Sequence, residues 1–165
     1  MILITGGAYQ GKLEFAKKLY NDRKWGNLES YQEIEGVEES ENSGCFPKSK
    51  QSDDFSKQQE REEAAIAEGE TSDLKQLQCS DIISHFHLWI QRLLKERENP
   101  YPLVEKLLEE NPDVIIELTQ LGCGVVPIEA FDREYRETVG RIGCLLAKEA
   151  EAVYLVNCGI DRRIK

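Results

Sequence analysis

Residues 1–12 read MILITGGAYQGK, and this stretch decides the fold. The first five residues are an apolar run with β-branched members, which is typical of a buried strand. Residues 13–20 read LEFAKKLY, in which Leu13, Ala16 and Tyr20 recur on one face of a helix. A strand, a glycine-rich turn and a helix in this order are the context that the phosphate-loop pattern G-x-x-x-x-G-K requires.

The chemistry of phosphate binding explains the spacing of this pattern. Glycines allow several backbone N–H groups to point at one anion, and the helix N-terminus adds further N–H groups and partial positive charge. Lys12 then supplies a cation to the outer phosphates. The alternative is an ordinary glycine turn followed by a surface lysine. We predict a nucleotide-binding loop that consists of Gly6, Gly7, Ala8, Tyr9, Gln10, Gly11, Lys12 and Leu13.

Leu13 departs from the pattern, which ends in a Ser or Thr whose hydroxyl binds Mg²⁺. A leucine cannot bind a hard cation. The two histidines, His85 and His87, would share a face in a strand but point roughly 200° apart in a helix, and no third ligand lies close in sequence. We therefore interpret them as packing or surface residues, predict no metal-binding residues, and regard Mg²⁺ as a doubtful cofactor.

Composition narrows the class of protein. The 165 residues fit a single domain, and they contain neither an apolar run of transmembrane length nor a signal-peptide pattern. Five scattered cysteines indicate neither a disulfide framework nor a zinc site, so we predict a cytoplasmic protein. The net charge of −10 comes from residues 29–73, which hold fourteen acidic and four basic side chains. Without a basic patch we expect no nucleic-acid partner.

The remaining pattern alternates strands with helices. We predict a loop or partly disordered segment over 33–50, helices over 53–68, 85–94, 103–110 and 131–150, and strands over 79–84, 113–119 and 152–156. This order predicts the α/β class, in the form of a P-loop NTPase-like three-layer domain with a mainly parallel sheet over 1–165. Residues 29–73 form an acidic, divergent, partly flexible insert in that domain.

A second glycine-rich loop follows the predicted strand 113–119. Ligands of parallel sheets bind outside the carboxyl ends of the strands, and both glycine-rich loops are expected there. We therefore predict a second set of binding residues: Gln120, Gly122, Gly124 and Pro127.

Several motifs in order resemble one family. They are MILITGGA at the N-terminus, GCGVVP over 122–127, Arg133 with YRE over 135–137 and GR over 140–141, and VYLV over 153–156. Together, over about residues 1–20 and 80–165, they resemble the bifunctional adenosylcobinamide kinase / adenosylcobinamide-phosphate guanylyltransferase family of cobalamin biosynthesis. The resemblance implies ATP or GTP as cofactor, cobinamide as a further partner and a homo-oligomer. It also implies phosphorylation of the aminopropanol arm, then GMP transfer through a histidine that GTP guanylylates.

The chain departs from that family at the positions that carry chemistry. Ser84 aligns with an acidic residue, Gln120 with a glutamate and Gly143 with an asparagine. The guanylylated histidine of the family lies before the segment that contains Ser84, and no histidine precedes His85 in this chain. The resemblance thus implies a nucleotide-binding member with a degraded catalytic site. The alternatives are a working cobinamide kinase and a non-enzymatic regulatory partner.

Overall fold

The computed structural model describes residues 1–24 and 63–165. The predicted loop over 33–50 and most of the predicted helix over 53–68 lie outside these described residues. Among the described residues, no helix is both long enough and apolar enough to cross a membrane.

A six-stranded sheet organises the described residues, with the order β2-β3-β4-β1-β5-β6. Neighbouring strands are parallel except for β5 and β6. This arrangement confirms the predicted α/β class and its mainly parallel sheet. The strands are β1 (Ile2–Gly6), β2 (Ile66–Glu68), β3 (Ile82–Ser84), β4 (Ile115–Thr119), β5 (Ala152–Asn157) and β6 (Ile160–Arg163).

The described residues also form five helices: α1 (Lys12–Lys24), α2 (Leu74–Gln78), α3 (Phe86–Lys95), α4 (Pro100–Glu110) and α5 (Ala130–Glu149). Alternate residues of β1 pack on opposite faces of the sheet, because side chains along a strand have a period of two. Ile4 packs with Phe15 and Leu19 of α1. Leu3 packs in a second cluster with residues of α3, α4 and α5, such as Trp89 and Ile142. Helices therefore cover both faces, which confirms the three-layer architecture.

Several boundary predictions are wrong in the described residues, including the strand over 79–84, which begins only at Ile82. Helix α1 continues through Asn21 to Lys24, although the apolar period stops before it. Residues 66–68 form a strand rather than the end of a helix, because they pair in parallel with β3. Helix α4 begins at Pro100, three residues before the predicted start at 103, and Asn99 caps it by accepting a hydrogen bond from the Tyr101 amide at 3.2 Å. Proline is tolerated there because the first helical N–H has no intrahelical partner.

Candidate functional site

The glycine-rich loop lies between the carboxyl end of β1 and the N-terminus of α1, as its sequence predicts. Gly6 has φ +155°, and a Cβ atom there would lie 2.2 Å from the carbonyl oxygen of Val156, so no larger residue fits. Gly11 has φ +84°, which favours glycine. The Gly159 amide donates to the Gln10 carbonyl at 3.0 Å and ties the loop to the β5–β6 turn. The loop is thus held against β5 and β6.

A cavity of about 400 Å³ opens beside this loop. It lies at the carboxyl ends of β1 and β4, where ligands of parallel sheets bind. A larger open groove of about 680 Å³ lies near Arg97, Tyr101 and Phe131, but it contains no residue of the glycine-rich loop at 6–13. We therefore take the smaller cavity as the candidate site. It is lined by Ala8, Tyr9, Gln10, Gly11, Lys12, Leu13, Glu14, His85, His87, Leu88, Glu117 and Thr119.

Lys12 and Glu117 form a buried ion pair in the wall of this cavity. The Lys12 Nζ lies 3.3 Å from the Glu117 Oε1, and both side chains are at most 4% exposed. The same Nζ donates to the Gly7 carbonyl at 2.7 Å. The other carboxylate oxygen, Oε2, accepts a long hydrogen bond from the His85 amide at 3.4 Å. A buried charge is tolerated when it is paired in this way. The pairing excludes the alternative of a surface lysine.

Sequence reasoning did not identify Glu117 as a site residue. A signal was present, because this glutamate interrupts an apolar strand run in which a charge needs a partner. Its partner is 105 positions away in sequence and becomes a neighbour through the pairing of β1 with β4. The sequence position alone does not identify that partner.

Both histidines line the cavity, which the interpretation as ordinary packing or surface residues missed. His85 is the residue before α3 and has φ +49°, and its Nδ1 lies 3.1 Å from the Glu68 Oε2. The His87 ring is buried, and the two ring centroids are 6.0 Å apart. The tight turn at His85 brings the two rings to the same end of the sheet despite their helical spacing. The described residues contain no group of three or more His, Cys, Asp or Glu side chains that could hold a metal.

Of the two positions at which the resemblance implies a metal ligand, position 13 lacks the hydroxyl and position 84 lacks the carboxylate. Leu13 lines the cavity but has no oxygen in its side chain. Ser84 is fully buried, and its Oγ lies 3.3 Å from the His85 Nδ1 instead of lining the cavity.

The second glycine-rich loop begins beside the first but then leaves it. The Gln120 amide donates to the Gly6 carbonyl at 2.9 Å, so the two loops are adjacent at this point. Arg136 donates to the Gly122 carbonyl at 2.7 Å, and Arg133 donates to the Pro127 carbonyl at 3.1 Å. These contacts hold the loop against α5. The structure therefore does not bring Gly122, Gly124 or Pro127 into the lining of the cavity.

The stability of the folded chain depends on pH through His87. Burial lowers the pKa of His87, and the positive charges of His85 and Lys12 contribute to the same shift, so that the pKa is about 4. The unfolded chain takes up this proton below about pH 6.5, whereas the folded chain resists it until about pH 4, so acid favours unfolding in this window. We expect His87 to reduce the free energy of unfolding by about 2 kcal/mol between pH 7 and pH 5.

Denaturant unfolding at several pH values measures this contribution. In His87→Gln, which cannot titrate, the loss of stability between pH 7 and pH 5 should be smaller by a similar amount. Equal losses in the two proteins would show that His87 is readily protonated in the folded state.

One comparison with known proteins identifies a family. The family model described as cobinamide kinase / cobinamide phosphate guanyltransferase matches residues 57–164. The match begins inside the acidic segment, earlier than the resemblance over residues 80–165 predicts, and it contains β2 to β6. The glycine-rich loop at residues 6–13 lies outside the matched range. No curated protein matches the chain. Because the matched range is well over half of the 165 residues, the chain belongs to the cobinamide kinase / cobinamide phosphate guanyltransferase family.

Proposed function

We propose that this chain binds a nucleoside triphosphate, ATP or GTP, with its phosphates on residues 6–13. The observation that carries the proposal is the buried Lys12 ammonium, which lies in the cavity wall at the end of a glycine loop and the start of a helix. An anion at this position meets backbone N–H groups, the positive end of the α1 dipole and a lysine. Phosphate groups fit this combination of hydrogen-bond donors and charge.

Individual residues have separable roles in this proposal. Gly6, Gly7 and Gly11 shape the loop. The backbone N–H groups from Ala8 to Leu13 are the candidates that donate hydrogen bonds to the phosphates. Gln120 buttresses the loop through its hydrogen bond to Gly6. Gly122, Gly124 and Pro127 remain candidates for contacts with a second substrate, since they follow the strand that ends at the cavity.

We further propose that the covalent GMP transfer implied by the family resemblance is lost in this chain. Covalent catalysis requires a nucleophile at the reacting atom. No histidine occurs in residues 1–84, where the resemblance expects the guanylylated side chain. The missing histidine, together with Leu13 and Ser84 at the positions of metal ligands, fits a degraded family member that retains nucleotide binding.

A working kinase with cobinamide as acceptor is the second candidate. Glu117 favours it, because a carboxylate beside Lys12 can hold a cation of the kind that neutralises phosphate charge in phosphoryl transfer. A functioning kinase would need both the nucleotide site and an acceptor hydroxyl held in line with it.

Calorimetric titration with ATP, GTP and adenosine tests the proposed function. We expect both triphosphates to bind and adenosine to bind at least about tenfold more weakly, since the binding energy comes from phosphate contacts. Equal affinity for ATP and adenosine would contradict phosphate recognition by this loop.

A further inference from the structure

Three neighbouring strands, β3, β4 and β1, are in register beside the cavity. Ile83 of β3 pairs with Ile116 of β4, so the register continues from Ser84 to Glu117. Glu117 is in turn aligned with Ile4 of β1. Aligned residues of parallel strands project from the same face of a sheet. Glu117 therefore has the same level and face as Ser84 but lies one strand closer to the phosphate loop.

We infer that Glu117 is the carboxylate through which the cavity takes up a divalent cation with the nucleotide, in place of an acid at position 84. This inference rests on the proposed nucleotide binding. It concerns Glu117, which the sequence comparison with the family did not single out. It also replaces the expectation, drawn from Leu13 and Ser84, that Mg²⁺ is a doubtful cofactor.

The charges in the wall of the cavity support this inference. Without nucleotide, Lys12 and Glu117 neutralise each other at 3.3 Å. Phosphates that bind to the Lys12 ammonium draw it away from Glu117. The glutamate is then a buried carboxylate beside further negative charge, and an uncompensated buried charge is strongly unfavourable. A divalent cation that enters with the phosphates removes this cost.

The chemistry of Mg²⁺ fits this arrangement. Mg²⁺ retains several waters and is commonly held by one or two carboxylates together with substrate phosphates. It therefore does not require the three-residue cluster that the described residues lack. Because Leu13 has no side-chain oxygen, water would occupy the coordination positions that face the loop. Glu117 would provide the protein oxygen. Exchange of Glu117 from Lys12 to the cation keeps every buried charge paired.

Calorimetric titration of ATP with and without Mg²⁺ tests this role. In the unmodified chain we expect Mg²⁺ to strengthen ATP binding at least about tenfold. In Glu117→Gln, metal-free ATP should bind more tightly than to the unmodified chain, and the gain from Mg²⁺ should fall below about threefold. Glu68→Gln removes a half-exposed acid on β2 that pairs with His85, and it should retain the full gain.

A second variant and a second readout keep the test decisive. Glu117→Asp keeps the charge and should keep most of the Mg²⁺ gain, even if Glu117→Gln proves too unstable to titrate. Electron paramagnetic resonance with Mn²⁺ on the unmodified chain should detect bound metal when ATP is added and much less without ATP. The role of Glu117 would be overturned if the affinity for ATP were the same with and without a chelator. It would also be overturned if Mg²⁺ strengthened ATP binding equally in the unmodified chain and in Glu117→Gln. Either result would leave nucleotide binding intact. Failure of ATP to bind under either condition would overturn the proposed function itself.

Discussion

Replacement of Lys12 by methionine is expected to weaken the binding of ATP and GTP at least about 100-fold, because the loop loses its buried cation. Methionine preserves the length and apolar stem of the side chain, so the change is confined to the charge and its hydrogen bonds. Calorimetric titration of the unmodified chain and the variant measures the difference. Lys17→Met, at an exposed position of the same helix, is the matched control for net charge and should bind normally.

The Lys12 variant also leaves Glu117 buried without its partner. A chain that unfolds for this reason would lose binding without any role for Lys12 in phosphate recognition. The double variant Lys12→Met/Glu117→Gln removes both buried charges and separates the two explanations. We expect it to melt near the temperature of the unmodified chain and still to bind neither nucleotide measurably. Normal ATP affinity in the folded double variant would exclude Lys12 as the main phosphate contact.

Incubation with labelled GTP is expected to leave no covalent label on this chain, since the segment that should contain the nucleophilic histidine contains none. A denaturing gel separates covalent label from bound nucleotide. The structure makes this a demanding test, because His85 and His87 line the cavity and His87 is neutral at pH 7. A neutral imidazole near the phosphates has the protonation state that a nucleophile requires.

The variants His85→Gln and His87→Gln determine the meaning of any label. A labelled band that disappears in one of them would show that this histidine has replaced the family's nucleophile, and the proposed loss of GMP transfer would be wrong. A band that persists in both would indicate another nucleophile. The absence of a band from a chain that binds GTP is the expected result.

The central part of the fold could be predicted from sequence because its signals are local. Residues 1–20 have an apolar strand, a glycine turn and a helical period in succession, and α5 is a long amphipathic segment. Strand β2 could not be recognised in the same way. It has three residues, only Ala67 of them is buried, and its pairing with β3 defines it as a strand. Tertiary pairing outweighs local propensity in such short segments.

The same difference between local and distant signals decides which site residues could be predicted. The phosphate loop is contiguous, so its residues and spacing are visible in the sequence. Glu117 and the histidines join the site through strand register and through the turn at His85, both of which depend on distant partners. The glycines of the second loop are equally visible in the sequence, but the sequence does not show that Arg136 of α5 binds the Gly122 carbonyl.

Phosphate binding at residues 6–13 is the central claim, and these residues lie outside the range of the family match. Backbone amide chemical shifts recorded during titration with ATP test it directly, because they report where the phosphates lie. We predict that the largest shifts occur at the amides of residues 7–13, while those of residues 122–126 change less. Saturable binding of ATP with its largest shifts at the groove near Arg97 and Tyr101, and with the loop amides unchanged, would contradict the claim.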